Sequence, residues 1–153
     1  MTDGWYRNIR LATLVGLLLI LVFFLLLPPK LSSQTLWIGP YNLQADLAIR
    51  EEDQQRGLQF HLPLDDGEAM LFVLPQQKKL CMWMKYTFMP LSVAFIRSDG
   101  MIVNMADMYP LSTKKHCAKE EVRYALEVPL GWFDDRGIGS GMVVRRNDGV
   151  RFD

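Results

Sequence analysis

A mainly β chain is predicted, folded as a compact β-sandwich or distorted barrel with one or two short helices and preceded by a single N-terminal transmembrane helix. Three observations lead there. Short apolar runs alternate with turn residues, an Asp99-Gly100 pair divides two such runs, and one uncharged apolar stretch stands apart near the N-terminus. At 153 residues, 50% of them hydrophobic, the chain has material for one globular core and too much apolar surface for an intrinsically disordered protein. Seventeen Lys and Arg balance seventeen Asp and Glu, so the basic excess of a nucleic-acid binder is absent.

Residues 11–27 (LATLVGLLLILVFFLLL) carry no charge and no strong helix breaker. At 1.5 Å per residue the run spans about 25 Å as a helix, enough to cross a bilayer with help from Ile9 and a snorkelling Arg10. Arg7 and Arg10 precede it and Lys30 alone follows closely, which orients the N-terminus to the cytoplasm and the rest of the chain outside. A cleaved signal peptide shares this pattern, and either reading exports the domain. No small-x-small cleavage site follows, so an uncleaved anchor is expected: 1–10 cytoplasmic, 11–27 in the membrane, 28–42 a linker, and 43–153 an extracytoplasmic domain. The location is then the inner or plasma membrane, single pass, with a periplasmic domain where the source has two membranes.

Within that domain, 43–49 alternates Leu43, Ala45, Leu47 and Ile49 against polar partners and reads as a half-buried strand. Residues 51–57 (EEDQQRG) read as a short helix, with acids at its positive end, Arg56 at its negative end and Gly57 as terminator. Leu58 and Phe60 are expected to return to the core. Around Asp99-Gly100 a tight hairpin, both turn residues at positive φ, pairs Ile96 with Val103, Phe95 with Asn104 and Ala94 with Met105. Further strands are expected at 69–74, 80–85, 124–128 and 142–145, and a second short helix at 132–136, ending at Gly137.

The strings Arg56-Gly57-Leu58, Met70-Leu71-Phe72, Trp83-Met84-Lys85, Pro90-Leu91, Ala94-Phe95-Ile96, Tyr124-Ala125-Leu126-Glu127 and Gly131-Trp132-Phe133 resemble, in order and spacing, the domain-of-unknown-function family 192. The resemblance implies a small, β-rich, often exported fold, and carries no agreed substrate, reaction or cofactor. The chain departs from the family pattern at Tyr86, where Asn is usual, at His61 (Arg), Ser92 (Asp) and Ala69 (Gly).

Cys81 and Cys117 are the only cysteines, and an even count in an exported domain points to a disulfide, the alternative being two buried thiols. His116 beside Cys117 has neither the spacing of a thiol-imidazole pair nor, with His61, that of a zinc site, so no metal is expected. No cofactor is expected. Met82, Met84, Met89, Met101, Met105 and Met108 offer thioethers for copper(I) but read as flexible core fillers. The polar residues Arg56, Lys85, Thr87, Arg123 and Glu127, with Trp83 and Trp132, are candidates for one ligand site: ring faces pack on sugar CH patches and a guanidinium forks a carboxylate. Lys85 and Glu127 are expected to approach each other, since a lone buried charge is costly, or else both to reach solvent through a pocket. The competing reading makes these residues structural ties and core fillers. The expected function is a small-ligand or envelope-associated binding or accessory module rather than an enzyme. The alternatives are an envelope hydrolase or lyase using Lys85, Glu127 and Arg123, or a structural partner in an envelope complex.

Overall fold

The computed structural model describes residues 13–21 and 31–146. The chain divides into two units, Met1–Lys30 and Leu31–Asp153. In the first, residues 13–21 are helical and the rest of the 11–27 segment lies outside the described residues. Among the described residues no helix is long and apolar enough to cross a membrane.

The second unit is a strand-rich domain. Its strands are β1 (Ser33–Ile38), β2 (Tyr41–Ala48), β3 (Glu68–Lys78), β4 (Cys81–Met82), β5 (Leu91–Ile96), β6 (Ile102–Met108), β7 (His116–Cys117), β8 (Val122–Pro129) and β9 (Val144–Arg146). Seven of them form one curled, half-barrel sheet in the order β6-β5-β8-β3-β2-β1-β9, and β4 and β7 make a separate two-stranded ribbon. The architecture is therefore one sheet covered on both faces, and not two sheets packed together. Alternate residues point to opposite faces. Leu71, Ala94, Ile96 and Leu126 join one apolar cluster, while Met70, Phe72, Val93, Phe95 and Ala125 join a second. The 132–138 segment covers the first face. Leu58, Met84 and Met89 cover the second.

Several expectations shift by identifiable causes. The folded unit starts at Leu31, so the stretch 31–42 assigned to a linker contains β1, closed onto β2 by Gly39 at φ 60, as a two-residue hairpin with glycine first requires. Ser33–Ile38 is apolar only at Leu36, Trp37 and Ile38, too brief a signal beside the membrane-like run. In the β5–β6 hairpin Gly100 alone has positive φ (84), and its N–H donates to Arg97 C=O, giving a three-residue loop instead of the two-residue turn. Ala94 and Phe95 keep their predicted partners, but the register shift that follows pairs Ile96 with Ile102 and not Val103. The strand expected at 80–85 shrinks to Cys81–Met82, and the second helix is the single 3₁₀ turn Asp134–Arg136, ended by Gly137 in the left-handed conformation. Ile49 lies beyond the end of β2 and is exposed, and Phe60, expected in the core, is 68% exposed. The methionines at 84, 89 and 108 are buried in the second cluster, as gap-fillers should be.

Candidate functional site

On β8, Tyr124, Leu126 and Val128 face the first cluster, leaving Glu127 on the opposite face. Its cross-strand neighbours are Met70 on β3 and Val93 on β5, so a carboxyl group stands between two apolar side chains. Glu127 is 3% exposed. Among the described residues no cation lies within ion-pair distance of it and no side chain hydrogen-bonds to it. Burial alone pushes its pKa up to about 8, because low-dielectric surroundings penalise the charged form. Near neutral pH it is mostly an uncharged acid, able to donate a hydrogen bond.

The carboxyl is not sealed off. No buried side-chain nitrogen or oxygen among the described residues lacks a partner, and Glu127 lines a cavity of about 320 Å³. One wall is the short helix Glu51–Arg56, whose Gln54 amide donates to the carbonyls of Ile49 (3.0 Å) and Val73 (2.7 Å) and so moors the helix to the sheet. The helix ends at Gly57 with φ 49, a backbone conformation that favours glycine, and a Cβ there would press on the Phe72 ring at 3.2 Å. The opposite wall is the end of β3 and the 80–83 segment, held by the Cys81–Cys117 disulfide that pairs β4 with β7.

Four of the seven candidate residues meet in this cleft: Arg56, Trp83, Thr87 and Glu127. Arg56 is exposed at the rim, Trp83 is half-exposed with the Lys115 ammonium 5.9 Å from its ring centre, and Thr87 is buried. The other three are elsewhere. Lys85 is exposed with its ammonium 4.9 Å above the Tyr86 ring, so the expected Lys85–Glu127 approach does not occur; the residue follows Met84, whose burial turns its neighbour outward. Arg123 is a structural tie, its guanidinium donating to the Leu74 carbonyl on β3. Trp132 packs in the first cluster on the far face, edge-on to Phe133, its indole N–H donating to the Asp66 carbonyl at 2.7 Å while Arg136 stacks on its ring at 4.4 Å. Sequence reasoning missed Lys78, a second cation lining the cleft. Strand β3 continues through the polar Gln76-Gln77-Lys78, where Lys78 pairs with Val122 of β8, beyond the 69–74 strand expected from the sequence.

A smaller cavity of about 200 Å³ lies beside Ser92, Asp107 and Asp134. Its Ser92 hydroxyl donates to Asp107 Oδ1 at 2.6 Å and accepts from Gly131 N–H at 2.9 Å, which ties β5 to β6 and to the turn after β8. Ser92 therefore fastens the sheet. His116, whose pKa is lowered by burial and by Lys114, neighbours a disulfide sulfur rather than a thiol, so the Cys117–His116 pair has no nucleophile.

The chemistry available in the larger cleft is a neutral acid at the floor, an indole face, and at the rim two cations, Arg56 and Lys78, beside the Glu51 carboxylate. Among solved structures the domain is similar to a proposed transcription regulator from Sinorhizobium meliloti 1021, with 26% identity and a TM-score of 0.74 over 78% of this chain and 97% of that one. It is also similar to a protein of unknown function from Novosphingobium aromaticivorans DSM 12444, with 26% identity and a TM-score of 0.68 over 74% of this chain and 83% of that one. No curated protein matches the chain. The family model of DUF192, an uncharacterised ACR, matches residues 35–146, from β1 to the end of β9, and the chain belongs to that family.

Proposed function

We propose that the protein is a membrane-tethered, extracytoplasmic binding module that takes a small anionic ligand, such as a carboxylate-bearing sugar, in the Glu127 cleft. The observation that carries this reading is a buried acid with no cation beside it among the described residues, opening on a cavity of ligand size. In the neutral form Glu127 donates to a ligand hydroxyl or carbonyl, Arg56 and Lys78 attract the carboxylate, and Trp83 offers a ring face. The tether is supported by the uncharged 11–27 run, helical at 13–21, and the exported location by the disulfide. A hydrolase or lyase is the second reading, favoured by the same acid, whose pKa near neutrality suits proton transfer. Of its three proposed groups, however, only Glu127 lines the cleft.

The test is an NMR titration of the full chain in detergent with glucuronate and with N-acetylmuramate. Resonances of Arg56, Trp83 and Thr87 should shift. Binding should weaken as pH rises through about 8 in the wild type, because ionised Glu127 repels the anion, and should stay constant with pH in Glu127→Gln. Absence of any cleft shift with either sugar acid rejects the reading. Membrane-extracted protein should also retain residues 1–30 by intact mass, and a shorter mature chain in a soluble fraction would remove the tether.

A further inference from the structure

Most of the large apolar side chains that the described part of the domain leaves exposed fall in three loops, 58–64, 83–90 and 108–115. These loops touch. Phe60 N–H donates to the Tyr86 carbonyl at 3.0 Å, Leu111 N–H to the Thr87 carbonyl at 3.0 Å, and Met84 N–H to the Ser112 carbonyl at 2.9 Å. The Phe60 ring stacks on Tyr86 at 5.5 Å and tilts against Phe88 at 5.9 Å, so the aromatic groups form one platform. Leu62, at 81% exposure, and Tyr109 add apolar surface from the flanking loops.

Two further observations separate this platform from a chance patch. Phe60, Tyr86 and Leu111 are the described non-glycine residues with positive φ, at 57°, 61° and 60°. Bulky side chains rarely adopt that conformation, and all three occurrences hold apolar groups out in water instead of turning them in. Basic charge is present as well: Lys85, Lys114 and Lys115 lie among these side chains, while of the neighbouring acids Asp66 is paired with Arg136 (2.6 Å) and Asp107 accepts from Ser92, and Asp65 stands beyond Leu64. Lys85 and Lys115 ride over the Tyr86 and Trp83 rings, placing two ammonium groups beside exposed aromatic faces.

From this we infer that the three-loop platform is a docking surface for an anionic lipid bilayer, with aromatic and leucine side chains entering the headgroup boundary and the lysines pairing with lipid phosphates. Tyrosine and tryptophan favour that boundary because each has an apolar body and a polar tip, and each lysine near an anionic surface adds attraction that salt screens. The exposed platform differs from the cleft, although the same loops contribute Leu58, Gln59, Trp83 and Thr87 to the cleft lining. Three lysines flanking exposed aromatic and leucine side chains complement a surface that is apolar beneath anionic headgroups.

The experiment uses the full chain in nanodiscs of phosphatidylcholine, with and without a quarter of phosphatidylglycerol, doped with headgroup-nitroxide lipid. Amide signals of Phe60, Tyr86, Phe88 and Leu111 should broaden at least about threefold more in the anionic discs, while those of Asp134–Gly137 stay sharp. Lys85→Glu/Lys114→Glu/Lys115→Glu should abolish the difference, with unchanged Leu126 and Ile96 signals confirming the fold. Should that variant not fold, about 0.5 M NaCl on the wild type replaces it and should remove the same difference. Sharp loop signals in both discs, or broadening indifferent to lipid charge and to salt, overturn the inference; the former leaves the platform to a protein partner. Retention of the protein in the disc reports the 11–27 tether, and loop broadening reports the platform, so each fails separately.

Discussion

Leu126 and Glu127 are successive residues of β8 that point to opposite faces of one sheet, and the two faces treat them differently. Leu126 enters a cluster closed by Trp132, Phe133 and Ile138, where the one indole N–H finds the Asp66 carbonyl and every side chain has a packing partner. Glu127 enters a cluster of equal apolar character whose cover is the short helix and the disulfide-held ribbon. A compact turn covers the first face and leaves only the smaller cavity beside Ser92 and Asp134, whereas two separately anchored segments leave the larger cleft over the second. The lesson is that the sheet is one structural platform with a stabilising side and a side kept at a stability cost, as ligand sites commonly are.

The sharpest way to break this contrast is Glu127→Gln. The folded carboxyl titrates at about 8 and the unfolded one near 4.5, so the wild type is most stable below the unfolded value and loses stability as pH rises between the two. Over the full interval the loss is about 4 to 5 kcal/mol, and the amide, which never ionises, escapes it. Urea unfolding at several pH values should show the wild type losing stability relative to the variant as pH rises from about 4.5 to about 8, the groups common to both, His116 and Asp53 among them, cancelling in the difference. Two parallel curves would show that Glu127 does not titrate as a buried acid, and the two faces would then be alike.

Next in size is the ribbon that walls the cleft. Cys81 and Cys117 are 36 positions apart, and replacing both with serine should cost about 3 to 4 kcal/mol by releasing the unfolded chain. The resonances to watch are those of Trp83 and Thr87, which should broaden as the wall loosens, while those of Phe133 remain sharp. Equal disturbance on both faces would mean that the covers are not independent.

The smallest effect is expected on the closed face. Trp132→Phe removes the hydrogen bond to Asp66 and leaves a small void, for a cost of about 1 to 2 kcal/mol that does not vary with pH. Sugar-acid titration of this variant should match the wild type, since the ring lies across the sheet from the cleft. A weakened titration would show coupling through the sheet and return Trp132 to the site.

Alternation along strands, the terminating glycines and the even cysteine count were sufficient to indicate a β-rich domain, the 51–57 helix, the β5–β6 hairpin and the disulfide. Each is a local signal: period two, a left-handed backbone position, a pair of sulfurs without competitors. The family strings added the order of these parts. What local signals do not encode is which side of a sheet a polar residue meets and what covers it. Arg56, Trp83, Thr87 and Glu127 share a cleft because the β2–β3 crossover places the short helix over β3 and β8, a contact between segments some seventy positions apart in sequence. Lys85 and Trp132, equally polar or aromatic in context, are carried away from it by a loop turned outward and by the turn after β8, which folds back over the opposite face. Even the state of Glu127 is a tertiary property: its side chain is an ordinary carboxylate in an extended chain, and it becomes a neutral acid only when β3 and β5 bring Met70 and Val93 to either side and exclude water.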